Sequence, residues 1–307
     1  DAETTGALAR IDASRKQKAF DAAMAEGGEA VNNNNWADAF AAFDRALKIN
    51  PGSSNAWAYR SNARRTSGDT DGALKDLVEA IRLDPKNVFA WNVRGLALKA
   101  REDLDGAIKA YEEALRLDPT FKWAWSNRGD TRFVKGDYEG AIKDYDEVVR
   151  LDPKYVWAWT ARGNVRRVRG DFAGALKDLD EAIRLDPAYV WAWCYRGDTH
   201  YAQGNYKGAI KEFEETIRLD PRYVWGWTGR GNARMAIGDL DGAIKDYDEA
   251  VRIDPKYSAA WGNRATARQN LGDLDRAIKD FDESLRLDPK YVWGWNARGN
   301  ARKAGGD

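Results

Sequence analysis

"VWAWTARGNVRRVRGDFAGALKDLDEAIRLDPAY" (residues 156–189) is one complete copy of a pattern that recurs along the chain. Its proline, Pro187, sets the frame. The eight prolines are Pro51, Pro85, Pro119, Pro153, Pro187, Pro221, Pro255 and Pro289, spaced 34 residues apart, and there are no others. A period of that size marks stacked supersecondary units, each too small to bury its own apolar face. With proline at place 32, full units begin at Phe20, Ser54, Val88, Lys122, Val156, Val190, Val224 and Ser258, and a ninth begins at Val292 and stops after 16 residues. The chain therefore reads as an N-terminal helical segment (1–19), eight repeats (20–291) and the first helix of a ninth (292–307).

Two helices fit in each unit. The first spans about the second to the fourteenth place, as in Trp157 to Arg169. Gly170 and Asp171 then break it, glycine suiting a left-handed C-terminal cap and aspartate an N-cap for the second helix. That second helix, "GALKDLDEAIRL" (174–185), sets Ala175, Leu179, Ala182 and Leu185 on one stripe at helical spacing. Asp186-Pro187 ends it, because proline blocks continuation and biases its predecessor away from helix.

Composition narrows the function classes. Forty-nine basic side chains balance 49 acidic ones, which argues against nucleic-acid binding driven by bulk charge. No stretch approaches ~18 consecutive apolar residues, so no membrane insertion is expected. One cysteine, Cys194, cannot form an intrachain disulfide, and one histidine, His200, leaves little for zinc or histidine-based catalysis. GxGxxG, P-loop and CxxC patterns are absent. No metal, cofactor or catalytic residue is expected. The chain opens at Asp1 without methionine, compatible with a processed exported protein or an expression boundary, and the compartment stays open.

Trp159, Gly163, Ala175, Leu179, Ala182 and Pro187, with their equivalents in the other units, make the chain resemble the tetratricopeptide repeat family over nearly its whole length. The resemblance implies an all-α fold, a right-handed α-solenoid of antiparallel helix pairs whose first helices line a concave groove. It also implies a non-enzymatic scaffold that binds peptides or proteins there. The family's carboxylate clamp uses Lys and Arg at groove places that here carry Trp, Ala, Thr, Cys or Asn, so that specificity is not expected.

An arginine ladder departs from the usual pattern. The seventh place is Arg60, Arg94, Arg128, Arg162, Arg196, Arg230, Arg264 and Arg298, and the eleventh is Arg64, Leu98, Arg132, Arg166, His200, Arg234, Arg268 and Arg302. Like charges four apart on a helix repel, so carboxylates or an anionic ligand must be near. The twenty-third place is acidic wherever the eleventh is basic, and is Ala110 opposite Leu98. The twenty-sixth place is Glu throughout the second to eighth units, and in the first unit the signs invert, Glu26 against Arg45. Joint loss and charge swapping predict ion pairs between the two helices of a unit, with Arg stacked on Trp. In the copy at 156–189, the expected partners of Arg162 and Arg166 are Glu181 and Asp178, and in the next copy His200 is expected opposite Glu212.

The tryptophans fall into two sets. Trp159 and its fourth-place equivalents belong to the repeat core, whereas Trp123, Trp157, Trp191, Trp225 and Trp293 occupy the second place, about 200° away around the helix. By the resemblance, the second, fifth, ninth and twelfth places face the groove. There the chain offers those rings with Asp130, Asn164, Asp198, Asn232, Asn300, Phe133, Arg167 and Tyr201. Indoles and amides in a row suit an extended peptide, and would also suit a sugar face. The competing expectation is that the second-place rings pack against the neighbouring unit.

The ends suggest a second function. Trp295, Arg298 and Arg302 are expected without second-helix partners, and "GALARIDAS" (6–14), with Leu8 and Ile11, resembles second-helix text. That segment would cap the first repeat or dock on the ninth repeat of another copy. Head-to-tail docking of that kind builds a homo-oligomer or filament. Arg10 and Ala13 count against the docking, because they stand where acids should meet Arg302 and Arg298. The leading reading is a partner-binding scaffold, and the alternative is a self-assembling fibre subunit.

Overall fold

The computed structural model describes residues 2–305, apart from the side chains of residues 2–4, 6 and 9. It divides into two compact units, Asp1–Pro153 and Lys154–Asp307. The first holds α1 (Ala2–Asn32), α2 (Trp36–Ile49), α3 (Ser54–Thr66), α4 (Thr70–Leu83), α5 (Val88–Ala100), α6 (Leu104–Leu117), α7 (Lys122–Lys135) and α8 (Tyr138–Leu151). The second holds α9 (Val156–Arg169), α10 (Phe172–Leu185), α11 (Val190–Ala202), α12 (Tyr206–Leu219), α13 (Val224–Ala236), α14 (Leu240–Ile253), α15 (Ser258–Asn270), α16 (Leu274–Leu287) and α17 (Val292–Gly305). Among the described residues there is no strand. Within each unit every helix packs on its neighbours in chain order, and successive first helices also touch, giving an all-α solenoid arrangement.

Local chemistry places each helix end. The fifteenth place adopts a left-handed backbone, with φ of 86° at Gly136 and 89° at Gly170. Glycine takes this conformation without the Cβ clash, yet Glu102 holds the same place at φ 63°. The next residue caps the second helix: the Asp137 carboxylate accepts from the Gly140 amide at 2.9 Å, and Asp171 from Gly174 at 2.9 Å.

The core repeats one idea. A single large side chain at the twenty-fourth place (Leu77, Tyr111, Tyr145, Leu179, Phe213, Tyr247 or Phe281) is fully buried among alanines. Small neighbours let the helices approach closely enough for one large side chain to fill each repeat. The eighth-place glycines belong to this packing, since a Cβ on Gly95 would lie 2.3 Å from the Tyr111 ring.

One stretch differs from expectation. No turn separates residues 2–19 from the first repeat, and α1 runs through both as one helix. Residues 10–19 are exposed throughout, so the segment does not fold back to cap the first repeat within its own chain. Leu8 and Ile11 are exposed on that helix.

Candidate interaction surface

The arginine ladder is wired into the fold. The indoles of Trp57, Trp91, Trp125, Trp193, Trp227, Trp261 and Trp295, all at the fourth place, donate to the preceding proline carbonyl at 2.9–3.1 Å. Each seventh-place guanidinium then lies over its own tryptophan, from 4.5 Å for Arg196 on Trp193 to 5.4 Å for Arg94 on Trp91. The twenty-third-place carboxylate takes both arginines of a repeat. Arg128 and Arg132 reach Asp144 at 2.7 and 2.9 Å, and Arg162 and Arg166 reach Asp178 at 2.7 Å each. The same geometry joins Arg60 and Arg64 to Asp76, Arg230 and Arg234 to Asp246, and Arg264 and Arg268 to Asp280. These carboxylates are almost wholly enclosed, with the Asp144 side chain 1% exposed. Burial pushes the Asp144 carboxyl above its ordinary range, against the opposite pull of Arg128 and Arg132.

Two expected pairings are corrected. Glu181 does not meet Arg162; it binds Arg184 one turn along the same helix, and Glu79, Glu113, Glu147, Glu215, Glu249 and Glu283 each do likewise with the arginine three residues on. The second carboxylate for a seventh-place arginine comes instead from the twenty-fifth place of the preceding repeat, as Asp180 gives to Arg196 at 2.8 Å and Asp248 to Arg264 at 2.6 Å. His200 contacts Asn205 at 3.3 Å, while Glu212 binds Arg196 at 2.7 Å. The inverted pair Glu26–Arg45 forms as expected. Arg94 is the exception among the described seventh-place arginines: Ala110 and Val78 stand where its two carboxylates would be, and no ion pair forms.

With all the other ladder arginines paired internally, the second-place aromatics remain. Trp191 and Trp225 are 42% and 47% exposed, and Trp123 and Trp293 are similarly open. The open rings also touch neighbouring aromatics, as the packing expectation has it. Trp191 meets Tyr223 edge-on at 5.3 Å and Trp225 at 6.1 Å, and Trp293 meets Phe281 at 6.2 Å. Trp157 packs on Tyr155 at 6.0 Å, and the Lys122 ammonium sits 5.0 Å from the Trp123 ring. A ring held on one side with its other face open keeps apolar contact area without much entropy left to lose.

The ninth and twelfth places are largely tied to the scaffold. Asp130 accepts from the Tyr145 hydroxyl at 2.7 Å, and burial raises its pKa. Asn232 accepts from Tyr247 at 2.7 Å and from Asn263 at 3.1 Å, and Asn164 accepts from Arg167 at 2.8 Å. Phe133 and Tyr201 lean on Tyr138 and Tyr206 at 5.8 and 5.3 Å. Asn300 is exposed on α17. The fifth place, expected in the groove, is buried instead: Ser126, Thr160 and Cys194 are all enclosed. Burial also pushes the Cys194 thiol far up, so it is not a poised nucleophile.

Comparison with known families decides the chain's class. The tetratricopeptide repeat model matches residues 24–88, 59–121 and 228–292, more than half of the chain, and a TPR repeat model matches 129–167, 163–204 and 197–238. The chain belongs to the tetratricopeptide repeat family. Comparison with curated proteins returns no match. Solved structures with the same fold include a tetratricopeptide repeat protein from Parabacteroides merdae, with TM-score 0.67 and 19% identity over 81% of this chain and 98% of that one. The APC/C hetero-tetramer Cut9-Hcn1 matches at TM-score 0.65 and 17% identity, over 87% of this chain and 52% of that one. Yeast Tom70 stands at 0.64 and 20%, over 89% and 59%. The chain thus spans little more than half the length of two of these structures, and at such identity the likeness is one of fold.

At the last tetratricopeptide repeat, Arg298 and Arg302 are not left without second-helix partners as expected. Arg298 reaches Asp282 at 2.6 Å and lies over Trp295 at 4.5 Å, and Arg302 reaches Asp282 at 3.9 Å. Asp282, at the twenty-fifth place of the preceding tetratricopeptide repeat, supplies the carboxylate for both. Among the described residues, no helix is long and apolar enough to cross a membrane, and no cluster of three His, Cys, Asp or Glu could hold a metal.

Proposed function

We propose that this chain is a non-enzymatic interaction scaffold that holds an extended peptide or protein segment along the first-helix face carrying the second-place tryptophans. The observation that carries the reading is the pair Trp191 and Trp225, nearly half exposed and buttressed edge-on against each other. Monomeric proteins seldom spend such rings on water, and aromatic anchors of this kind dominate binding energies. The ladder arginines favour the same face by exclusion, because their carboxylates are supplied internally. The test is a peptide-display selection on the full chain, followed by Trp191→Ala with Trp225→Ala. Selected peptides should lose binding while the helical circular dichroism is unchanged. Binding that survives in the double variant would mean that these rings only pack.

A second reading rests on the exposed apolar side chains of the terminal helices: Val292 and Trp295 on α17, Leu8 and Ile11 on α1. These would join copies head to tail, α1 of one molecule against α17 of the next. Light scattering across a concentration series should then show growth that Trp295→Ala abolishes. A chain that stays monomeric at high concentration would refute it.

A further inference from the structure

The ninth-place polar groups of the repeats differ in one respect. Asp130, Asn164 and Asn232 are each met by a donor of the protein, but Asp198 makes no hydrogen bond and no ion pair. The cause is one atom. The twenty-fourth place supplies the Tyr145 hydroxyl to Asp130 and the Tyr247 hydroxyl to Asn232, but in the repeat of Asp198 that place is Phe213. Burial accordingly raises the Asp198 pKa, with Arg167 pulling it the other way. Arg167 does not relieve it by contact, since its guanidinium is spent on Asn164 at 2.8 and 3.2 Å. A half-buried carboxylate without a donor is costly, and a fold keeps one readily where something else completes it.

Asp198 opens into a cavity of about 210 Å³ between α11 and α13, shared with Cys194, Trp225, Thr228, Asn232 and Tyr257. Trp225 and Tyr257 give it aromatic walls. The chemistry in one place is therefore a carboxylate with no counter-charge in contact and two aromatic faces. An ammonium or guanidinium gains from the first two together, by a charge-assisted hydrogen bond and by cation–π attraction. A neutral donor gains only the hydrogen bond, and an acidic side chain gains neither.

We infer that this cavity is a subsite for a basic side chain, lysine or arginine, of the segment bound on the first-helix face. The inference rests on the proposed groove function and adds the charge of the partner to it. Asp198 supplies the counter-ion, and Trp225 supplies the wall along which the aliphatic stem lies.

The test uses the full chain with four capped pentapeptides, glycine throughout except for a central Lys, Arg, Gln or Glu. Binding is read from the Trp191 and Trp225 indole signals in two-dimensional NMR. The Lys and Arg peptides should move the Trp225 signal saturably, with affinity about tenfold above the Gln peptide, and Asp198→Asn should erase that preference. Phe213→Tyr offers Asp198 the missing hydroxyl, in a place where Tyr111, Tyr145 and Tyr247 are already tolerated, and should reduce the preference about threefold. If Gln binds as well as Lys, the groove reading stands and the cationic subsite falls. If no peptide moves either indole, both fall. A Lys preference that persists unchanged in Asp198→Asn also overturns the assignment.

Discussion

The third and fourth repeats sit side by side in one compact unit and solve the same packing problem with different chemistry. Trp91 and Trp125 both donate to a proline carbonyl at 2.9 Å, Asp103 and Asp137 both cap a second helix, and Tyr111 and Tyr145 both fill the space between helices. Yet the fourth repeat encloses Asp144 between Arg128 and Arg132, whereas the third has Ala110 facing Leu98 and leaves Arg94 on its tryptophan alone. The helix pair is therefore built by small-to-large packing and caps. The ionic centre is an addition: the eleventh-place arginine and the twenty-third-place acid go missing together, because a buried charge without its partner is costly, while Arg94 keeps its place over Trp91 without one.

That contrast can be pushed from either side. Asp144→Ala should cost about 3 kcal/mol, because the part-buried Arg128 and Arg132 lose their close carboxylate and keep only the more exposed Glu112 and Asp137, 3.6–3.8 Å away. Adding Arg132→Leu, which copies the third repeat, should recover most of that loss. Local unfolding is best read by native-state hydrogen exchange of α7 and α8, since repeat arrays open in parts. Gly95→Ala should cost about 1–3 kcal/mol in α5 and α6, because the new methyl would overlap the Tyr111 ring. Glu102→Gly should instead stabilise the third repeat by about 1 kcal/mol, giving it the residue its neighbours use at that left-handed turn.

The smallest effect concerns pH. Asp130 is raised above its ordinary pKa of 3.8 by burial, so the native state holds a proton there more readily than the unfolded chain does. Its contribution is favourable below the unfolded value and is lost as pH rises through the raised folded value. Asp130→Asn keeps an acceptor for Tyr145 without the charge. The variant should melt higher than the parent near pH 7, and the gap should close on titration to about pH 4. A gap independent of pH would show that Asp130 carries no such penalty.

Much of this is legible in the residues. The 34-residue period marks the helix pairs, and the joint loss at Leu98 and Ala110 marks the pairing of eleventh-place arginines with twenty-third-place acids. Glu181 reads as a cross-helix partner because it co-occurs with Arg162, although Arg184 lies one turn away and needs no tertiary contact. The twenty-fifth place holds the signal that would have found the true second acid. It is Asp44, Glu112, Asp146, Asp180, Glu214, Asp248 or Asp282, and it is Val78 just before Arg94, where the other acid is also missing. The groove places are less legible. Whether a fifth-place side chain is buried depends on how closely adjacent first helices approach, and the isolation of Asp198 depends on a hydroxyl that Phe213 lacks. Neither can be read from periodicity.

The claim on which the rest depends is that the ladder is internal wiring, which is why the tryptophan face is proposed as the recognition surface. A double-mutant cycle on Arg132→Leu and Asp144→Ala, read by hydrogen exchange in α7 and α8, tests it most directly. The account predicts a coupling of about 1 kcal/mol or more, with the double variant closer to the parent than Asp144→Ala alone. Additivity within about 0.5 kcal/mol would contradict it and would return the arginines to the pool of groups awaiting a ligand.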